Sequence, residues 1–168
     1  ITVCYNSRAT LPDTLSSVAS QVGVQLQHVL VDGGSTDGTV ALIETYAQEH
    51  SEIVWISEKD QGLYDAMNKG LARCTGDIIG LLNADDFYCR NDALKLVAEK
   101  FAVENPDALY ADLNYVDAHH TDRLVRRWKS GSYHHNSFLW GWMPPHPTFF
   151  VRKEIYEQLG GFRLDMGS

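Results

Sequence analysis

The sequence predicts an α/β fold: a mainly parallel sheet with helices on both faces, followed by a C-terminal hairpin and an irregular segment. Three observations carry this. Short apolar runs alternate with amphipathic stretches through the first two-thirds of the chain. The connections between them are short. Several of the runs also end on acidic residues, at the strand ends where open parallel sheets bind ligands.

Ile1–Tyr5 reads as the first strand. Leu11–Val22 reads as a helix with Leu11, Leu15, Val18 and Ala19 at helical spacing, and Pro12 is tolerated in its first turn. Val29-Leu30-Val31 is a second buried strand ending at Asp32. After the Gly33-Gly34 turn, Ser35 or Thr36 can cap a helix from Gly38 to Glu49 that buries Val40, Ile43 and Ala47. Ile53–Ile56 is a third strand. Tyr64–Arg73 is a helix with Ala66, Met67, Gly70 and Leu71 inward, closed by Thr75-Gly76.

Asp77–Leu82 forms the fourth strand. Asn91 caps a helix over Asp92–Val103 that turns Leu94, Val97, Ala98 and Phe101 inward, and Pro106 ends the pattern. From Ala108 the character changes. Ala108-Leu109-Tyr110 is a strand, and Leu113–Val116 with Arg123–Trp128 reads as a hairpin around His119-His120-Thr121-Asp122. Gly131–Pro147 is aromatic, rich in His and Pro, and without a clean period. Loops of that length in a compact domain usually carry function. Thr148–Val151 returns to strand, and Lys153–Leu159 is a short helix closed by Gly160-Gly161.

At 168 residues the chain is long enough for one packed domain and short for two. A hydrophobic content of 44% and a charged content of 21% describe an ordinary globular sequence. The net charge of -8 argues against a nucleic-acid backbone as partner and suits a site that recruits a cation for an anionic substrate. Cys4, Cys74 and Cys89 lie far apart, which indicates neither a disulfide framework nor a zinc site and fits a reducing cytoplasm. No apolar stretch is long enough to cross a bilayer, and no signal peptide is visible. The chain opens inside a strand without an initiator methionine and stops at Leu164–Ser168 without a closing helix. It reads as a piece of a longer protein.

Asn83-Ala84-Asp85-Asp86, directly after Ile78-Ile79-Gly80-Leu81-Leu82, ends an apolar strand in adjacent carboxylates. Carboxylates are rarely buried without a partner, and a divalent cation holding a diphosphate would be one. Asp32 and Asp60 follow the second and third strands in the same way, so three parallel strands each deliver an acid to one sheet edge. Glycines in Asp32-Gly33-Gly34-Ser35-Thr36-Asp37-Gly38-Thr39 let backbone approach a ligand ahead of a helix N-terminus. Lys69 could neutralise a phosphate, or simply pair with Asp65 at i, i+4. No G-x-G-x-x-G follows the first strand, which excludes a dinucleotide-binding turn there.

These runs, taken with Thr2–Asn6, Glu58–Gly70, His146–Arg152 and Leu159–Phe162, make the chain similar to family 2 glycosyltransferases of the bacterial polysaccharide type. The resemblance implies a GT-A, Rossmann-like fold, with residues 1–107 as the nucleotide-binding half and 108–168 as an incomplete acceptor-side half. It implies that Tyr5, Asn6, Asp32 and Asp60 cradle the nucleoside, with Lys69 and Ala84 also on the nucleotide. Many relatives carry two acids where this chain has Asp32-Gly33.

The family's D-x-D falls on Asn83, Ala84 and Asp85, which makes Asp85 the Mg²⁺ or Mn²⁺ ligand, with Asp86 and His146 toward the donor sugar. The implied reaction is a metal-dependent, inverting transfer from a UDP- or GDP-linked sugar to a saccharide or lipid-linked acceptor. It would take place in the cytoplasm, with peripheral association at the inner face of the plasma membrane. The family's base follows the G-G-F element, where Asp165 is the only nearby acid and fits a loop residue better than a base. Two rival readings are a sugar nucleotidylyltransferase, which would need a Gly-rich basic loop in place of Asn6–Thr10, and a nucleotide-sugar-binding module without catalysis. The tryptophans Trp128, Trp140 and Trp142 read either as a sugar-stacking wall or as a structural apolar patch.

Overall fold

The computed structural model of the chain describes residues 1–166. In chain order it contains β1 Thr2–Cys4, α1 Leu11–Ala19, β2 His28–Asp32, α2 Thr39–Glu49, β3 Ile53–Ser57, α3 Leu63–Leu71, β4 Ile78–Gly80 and α4 Ala93–Glu104. There follow β5 Ala108–Leu109, β6 Leu113–Val116, β7 Leu124–Trp128, β8 Phe150–Arg152 and α5 Lys153–Leu159.

The parallel ladder runs β1-β2-β3, with Val3 opposite Val31 and Val31 opposite Ile56. Beside it, β4-β8-β5 form an antiparallel group in which Ile79 and Ala108 both face Val151. The two groups join through Ile1, whose nitrogen donates to the Gly80 carbonyl at 2.8 Å while its carbonyl accepts from Leu82 N–H at 2.9 Å. Donation to one residue and acceptance from the residue two further on is the spacing of a parallel pair. The strands therefore run in the order β3-β2-β1-β4-β8-β5, with β8 alone reversed. The fourth strand does lie parallel to the first, and its other edge is closed from the far end of the sequence.

Alternation within β2 sorts its side chains to two cores. Val29 and Val31 join Val3, Leu81 and the α3 residues Ala66 and Met67 on one face. Leu30 joins Cys4, Ala84, Leu11 and Leu15 of α1 and Ile43 of α2 on the other. Each such apolar side chain contributes about 1.5–3 kcal/mol when fully buried. Helices thus cover both faces, as the sequence pattern requires.

The departures are local. α1 stops at Ala19, before Val22. Neither Ser35 nor Thr36 caps α2: its first N–H, from Thr39, is taken by Asp37 Oδ1 at 3.0 Å, and Gly38 stands at the N-cap with φ of 96°. Val40 and Ala47 are only half-buried. The start of the expected Thr148–Val151 strand is a 3-10 turn over His146–Thr148, because prolines at 145 and 147 bend the chain before it can pair. No helix among the described residues is long and apolar enough to cross a membrane.

Candidate functional site

Two loops at the C-terminal edge of the sheet are stitched together by side chains. Asn6 takes φ of 51°, in the left-handed region that asparagine tolerates. Its amide oxygen accepts from Thr36 N–H at 2.9 Å, and its own N–H donates to Ser35 Oγ at 2.7 Å. Ser7 N–H donates to Thr39 Oγ1 and Arg8 N–H to Asp37 Oδ2. Asp37 is held below the usual carboxylate range, first by its hydrogen bond from the Thr39 hydroxyl.

Asp32 is fully buried at the end of β2. Its Oδ2 accepts from Gly34 N–H and Ser35 N–H, each at 3.0 Å, and from Ser57 Oγ at 2.7 Å. Its Oδ1 accepts from Ser35 Oγ. Four N–H and O–H donors, with the Cys4 thiol at 4.0 Å as a weaker fifth, satisfy the charge inside the protein, and Asp32 is 0% exposed. Through these bonds Asp32, expected beside the nucleoside, fixes the shape of the loop that follows β2. Burial, and then the charges of Asp32 and Asp37, push the Cys4 thiol up to about 12.

Asp60 reaches back over that loop. Its Oδ1 accepts from Gly62 N–H at 2.9 Å. Its other oxygen lies against Gly33, and Tyr5, 64% exposed, borders the same glycine. Tyr5, Gly33 and Asp60 are therefore contiguous. Lys69 stands behind them: its Nζ meets Glu58 at 3.1 Å, Asp65 at 3.3 Å and the Lys59 carbonyl at 3.0 Å. The ion pair with Asp65 is formed, and the bond to the Lys59 carbonyl pins the loop that carries Asp60 to α3.

Below the loops, a cavity of about 360 Å³ is lined by Asn6, Ser7, Thr10, Leu63, Ala84 and Asp85, among others. Asp85 is exposed, and no protein donor takes its carboxylate among the described residues. Asn83 closes the turn: its amide donates to Asp86 Oδ2 at 2.8 Å, and its carbonyl accepts from Asp86 N–H at 3.1 Å. Burial raises the Asp86 pKa and Asp85 pushes it further, while Asn83 and His146 draw it down. His146 keeps surface in solvent, yet packing lowers its pKa and Asp86 raises it. Asp85 and His146 thus both lie close enough to Asp86 to bias its charge.

The three acids reach one sheet edge but divide the work there. Among the described residues, no three His, Cys, Asp or Glu side chains gather closely enough to hold a cation alone. One or two carboxylates suit Mg²⁺ or Mn²⁺, which complete their shells with phosphate oxygens and water. Asp165 stands in an exposed 3-10 turn, forked to Arg163 at 3.0 and 2.6 Å. Arg163 lowers its pKa, which makes it a poor proton acceptor.

Several working residues escaped the motif reading. Ser35 and Ser57 satisfy Asp32, and Asn68 grips the Phe162 backbone at both N–H (2.7 Å) and C=O (2.8 Å). Only the spacing of polar residues within the Glu58–Gly70 run hinted at Asn68. The aromatic segment folds on itself: Trp142 packs against Tyr110, Tyr133 and Phe138 and donates to the Ser130 carbonyl, while Trp140 is 89% exposed.

With the site in view, the comparisons are specific. The family model for Glycosyl transferase family 2 matches residues 1–160. The chain belongs to that family. It is 33% identical over 161 residues to a PGL/p-HBAD biosynthesis glycosyltransferase of Mycobacterium bovis (strain BCG / Pasteur 1173P2), covering 95% of this chain and 60% of the relative. It is 28% identical over 136 residues to chondroitin synthase of Escherichia coli, covering 81% of this chain and 18% of that one.

Solved structures share the GT-A fold. S. aureus TarS 1-349 superposes with a TM-score of 0.78 at 19% identity, covering 99% of this chain and 50% of that one. The mannosyltransferase PcManGT of Pyrobaculum calidifontis, solved with GDP-Man and Mn2+, gives 0.74 at 22% identity, covering 99% and 47%. The chain therefore spans about half to three-fifths of the length of these neighbours.

Proposed function

We propose that the chain is the donor-binding part of a metal-dependent, inverting glycosyltransferase that moves a sugar from a UDP- or GDP-linked donor to a saccharide or lipid-linked acceptor. The observation that carries this is Asp85, a carboxylate without a protein partner among the described residues, lining a cavity together with Asn6, Ser7 and Thr10. Asp85 would hold a divalent cation, which would supply Lewis-acid stabilisation of the departing diphosphate. The rest falls to this chain's own groups. The Asn6–Thr10 loop walls the diphosphate, Asp86 stands toward the sugar with His146 beside it, and Tyr5 with Asp60 borders the nucleoside. Inversion requires a further carboxylate to take the acceptor's proton, a task for which the engaged Asp165 is poorly suited.

PcManGT with GDP-Man and Mn2+, and TarS with UDP and with UDP-GlcNAc, support both the donor class and the metal. A lipid-linked acceptor would place the reaction at the cytoplasmic face of the plasma membrane. Family membership favours this reading over a nucleotidylyltransferase, and the loop after β1 lacks the glycines that reaction would need.

Calorimetry with UDP and GDP, with and without Mn²⁺, tests the proposal. Metal should tighten nucleoside diphosphate binding, and Asp85→Ala should abolish that gain, a loss of about tenfold or more. Binding indifferent to both the metal and Asp85 would remove the site assignment.

A further inference from the structure

Between Asp122 and Glu154 the chain carries no acid, although it has 22 Asp and Glu residues in all. The same stretch holds six of the 14 Lys and Arg residues and three of the four tryptophans. Everything else in the molecule therefore carries all 22 acids and only eight of the 14 basic residues. The cations of the stretch also behave differently. On the helices, exposed lysines are matched by acids one turn on: Lys95 with Glu99, Lys100 with Glu104 and Lys153 with Glu157. Arg123, Arg126, Arg127 and Lys129 are all exposed and enter no ion pair among the described residues.

Beside these cations stands a fixed apolar knuckle. Ser137–Trp140 is a 3-10 turn, closed by Leu139 N–H on the Asn136 carbonyl and by Gly141 N–H on the Phe138 carbonyl. Gly141, at φ of 78°, reverses the chain there. Trp142 anchors the turn: it packs on Tyr110, Tyr133 and Phe138 and donates to the Ser130 carbonyl at 2.8 Å. Ser130 is in turn held by Asp112, which accepts from its N–H and its hydroxyl, both at 3.0 Å. Those two bonds hold the Asp112 carboxyl below its usual range, and Lys129 and Arg127 lower it further, so both cations lie close to the anchor. With Trp142 turned to packing, Phe138, Leu139, Trp140 and Met143 are each more than half exposed. Four large apolar side chains within six residues, held out in water, have no packing reason.

We propose that the Phe138–Met143 knuckle and the neighbouring Arg127 and Lys129 form a docking surface for a membrane with anionic headgroups. Leu139 and Trp140 enter the interfacial layer, and the cations meet the lipid phosphates. Tryptophan and leucine next to Lys and Arg is the composition of a segment that lies in the headgroup boundary. The core of a protein interface excludes charge, and the net charge of -8 disfavours nucleic acid. An anionic surface repels the acidic remainder of the molecule and attracts this stretch, so charge asymmetry also sets the orientation. The proposal rests on the lipid-linked acceptor of the reading above. The stretch continues into His146, which draws down the pKa of Asp86, so docking holds the acidic turn near the plane from which such an acceptor arrives.

Co-sedimentation with vesicles provides the test and needs no nucleotide. Phosphatidylcholine vesicles are compared with phosphatidylcholine–phosphatidylglycerol vesicles, at low and high salt. The chain should bind the anionic vesicles about tenfold or more tightly than the neutral ones, and high salt should erase the difference. Trp140→Ser should weaken that binding about tenfold. Arg127→Gln combined with Lys129→Gln should weaken it roughly twentyfold, each charge near such a surface being worth about fivefold. Mn²⁺-dependent binding of UDP or GDP should be unaltered in both variants, which also shows that they are folded. Absence of vesicle binding, equal binding to both vesicle types, or binding that both variants retain would overturn the inference and leave the donor site standing. So would self-association that Trp140→Ser abolishes in a chain that ignores vesicles, because the patch would then belong to a second copy. Vesicle binding as expected by a chain that binds neither nucleotide would instead remove the donor-site reading and keep the docking surface.

Discussion

Asp32 shows how far a single residue can be read from sequence. Its position at a strand tip was legible, because a buried apolar run followed by glycines leaves few alternatives. Its orientation was not, because the donors that hold it come from Ser35 in its own loop and Ser57 on the neighbouring strand. His28 is a second case, silent in the sequence. It is buried at the start of β2, and its ring shares a hydrogen bond with Thr2 Oγ1 at 3.0 Å. Burial lowers its pKa to about 3. The unfolded chain takes up that proton near pH 6.5, so below this value the unfolded state binds more protons and stability falls with falling pH. The window closes near pH 3, where the folded form is protonated too. Between pH 6.5 and 5 the loss is about 2 kcal/mol. His28→Gln, which can still meet Thr2, should flatten this limb when melting is followed from pH 7 to 5; equal slopes in both proteins would acquit His28.

Among the elements, the helices and the parallel ladder were the most legible, since apolar residues at period 3.6 or in short runs name their own buried faces. Leu11, Leu15, Val18 and Ile43 are all buried as their spacing requires. Element ends were less so. Prolines at 145 and 147 delay β8, and a capping role given to Ser35 or Thr36 belongs to Asp37. The pairing of β4 with β8 could not be read at all, because no local pattern records a partner 70 residues away. That pairing is tight: a Cβ at Gly80 would lie 2.5 Å from Phe150 Cε1 and 2.7 Å from Cδ1. Gly80→Ala should therefore cost about 1–3 kcal/mol by overpacking, seen as a lowered denaturant midpoint. The strand ends three residues before Asn83, so Mn²⁺-dependent nucleotide binding should weaken in the same variant. An unchanged midpoint would show that the ring simply swings aside.

At the scale of the whole molecule, the candidate site is built by two separate histories. The loops that carry Asn6, Asp32 and Asp60 hang on β1, β2 and β3, whose partners are near in sequence. Asp85 and Asp86 hang on β4, held on one side by Ile1 and on the other by β8, near the C-terminal end of the described chain. Loop closure over such distances is slow compared with local pairing. During refolding, the amides of β2 and β3 should gain protection from hydrogen exchange before those of β4 and β8, in a pulse-labelling experiment read by mass spectrometry. Simultaneous protection would point to a single nucleus spanning both groups. In the expected order, a nascent chain would close the loops after β1, β2 and β3 while its acidic turn is still unanchored, and the reversed strand β8 would act as the late latch that fixes Asp85 and Asp86 in place.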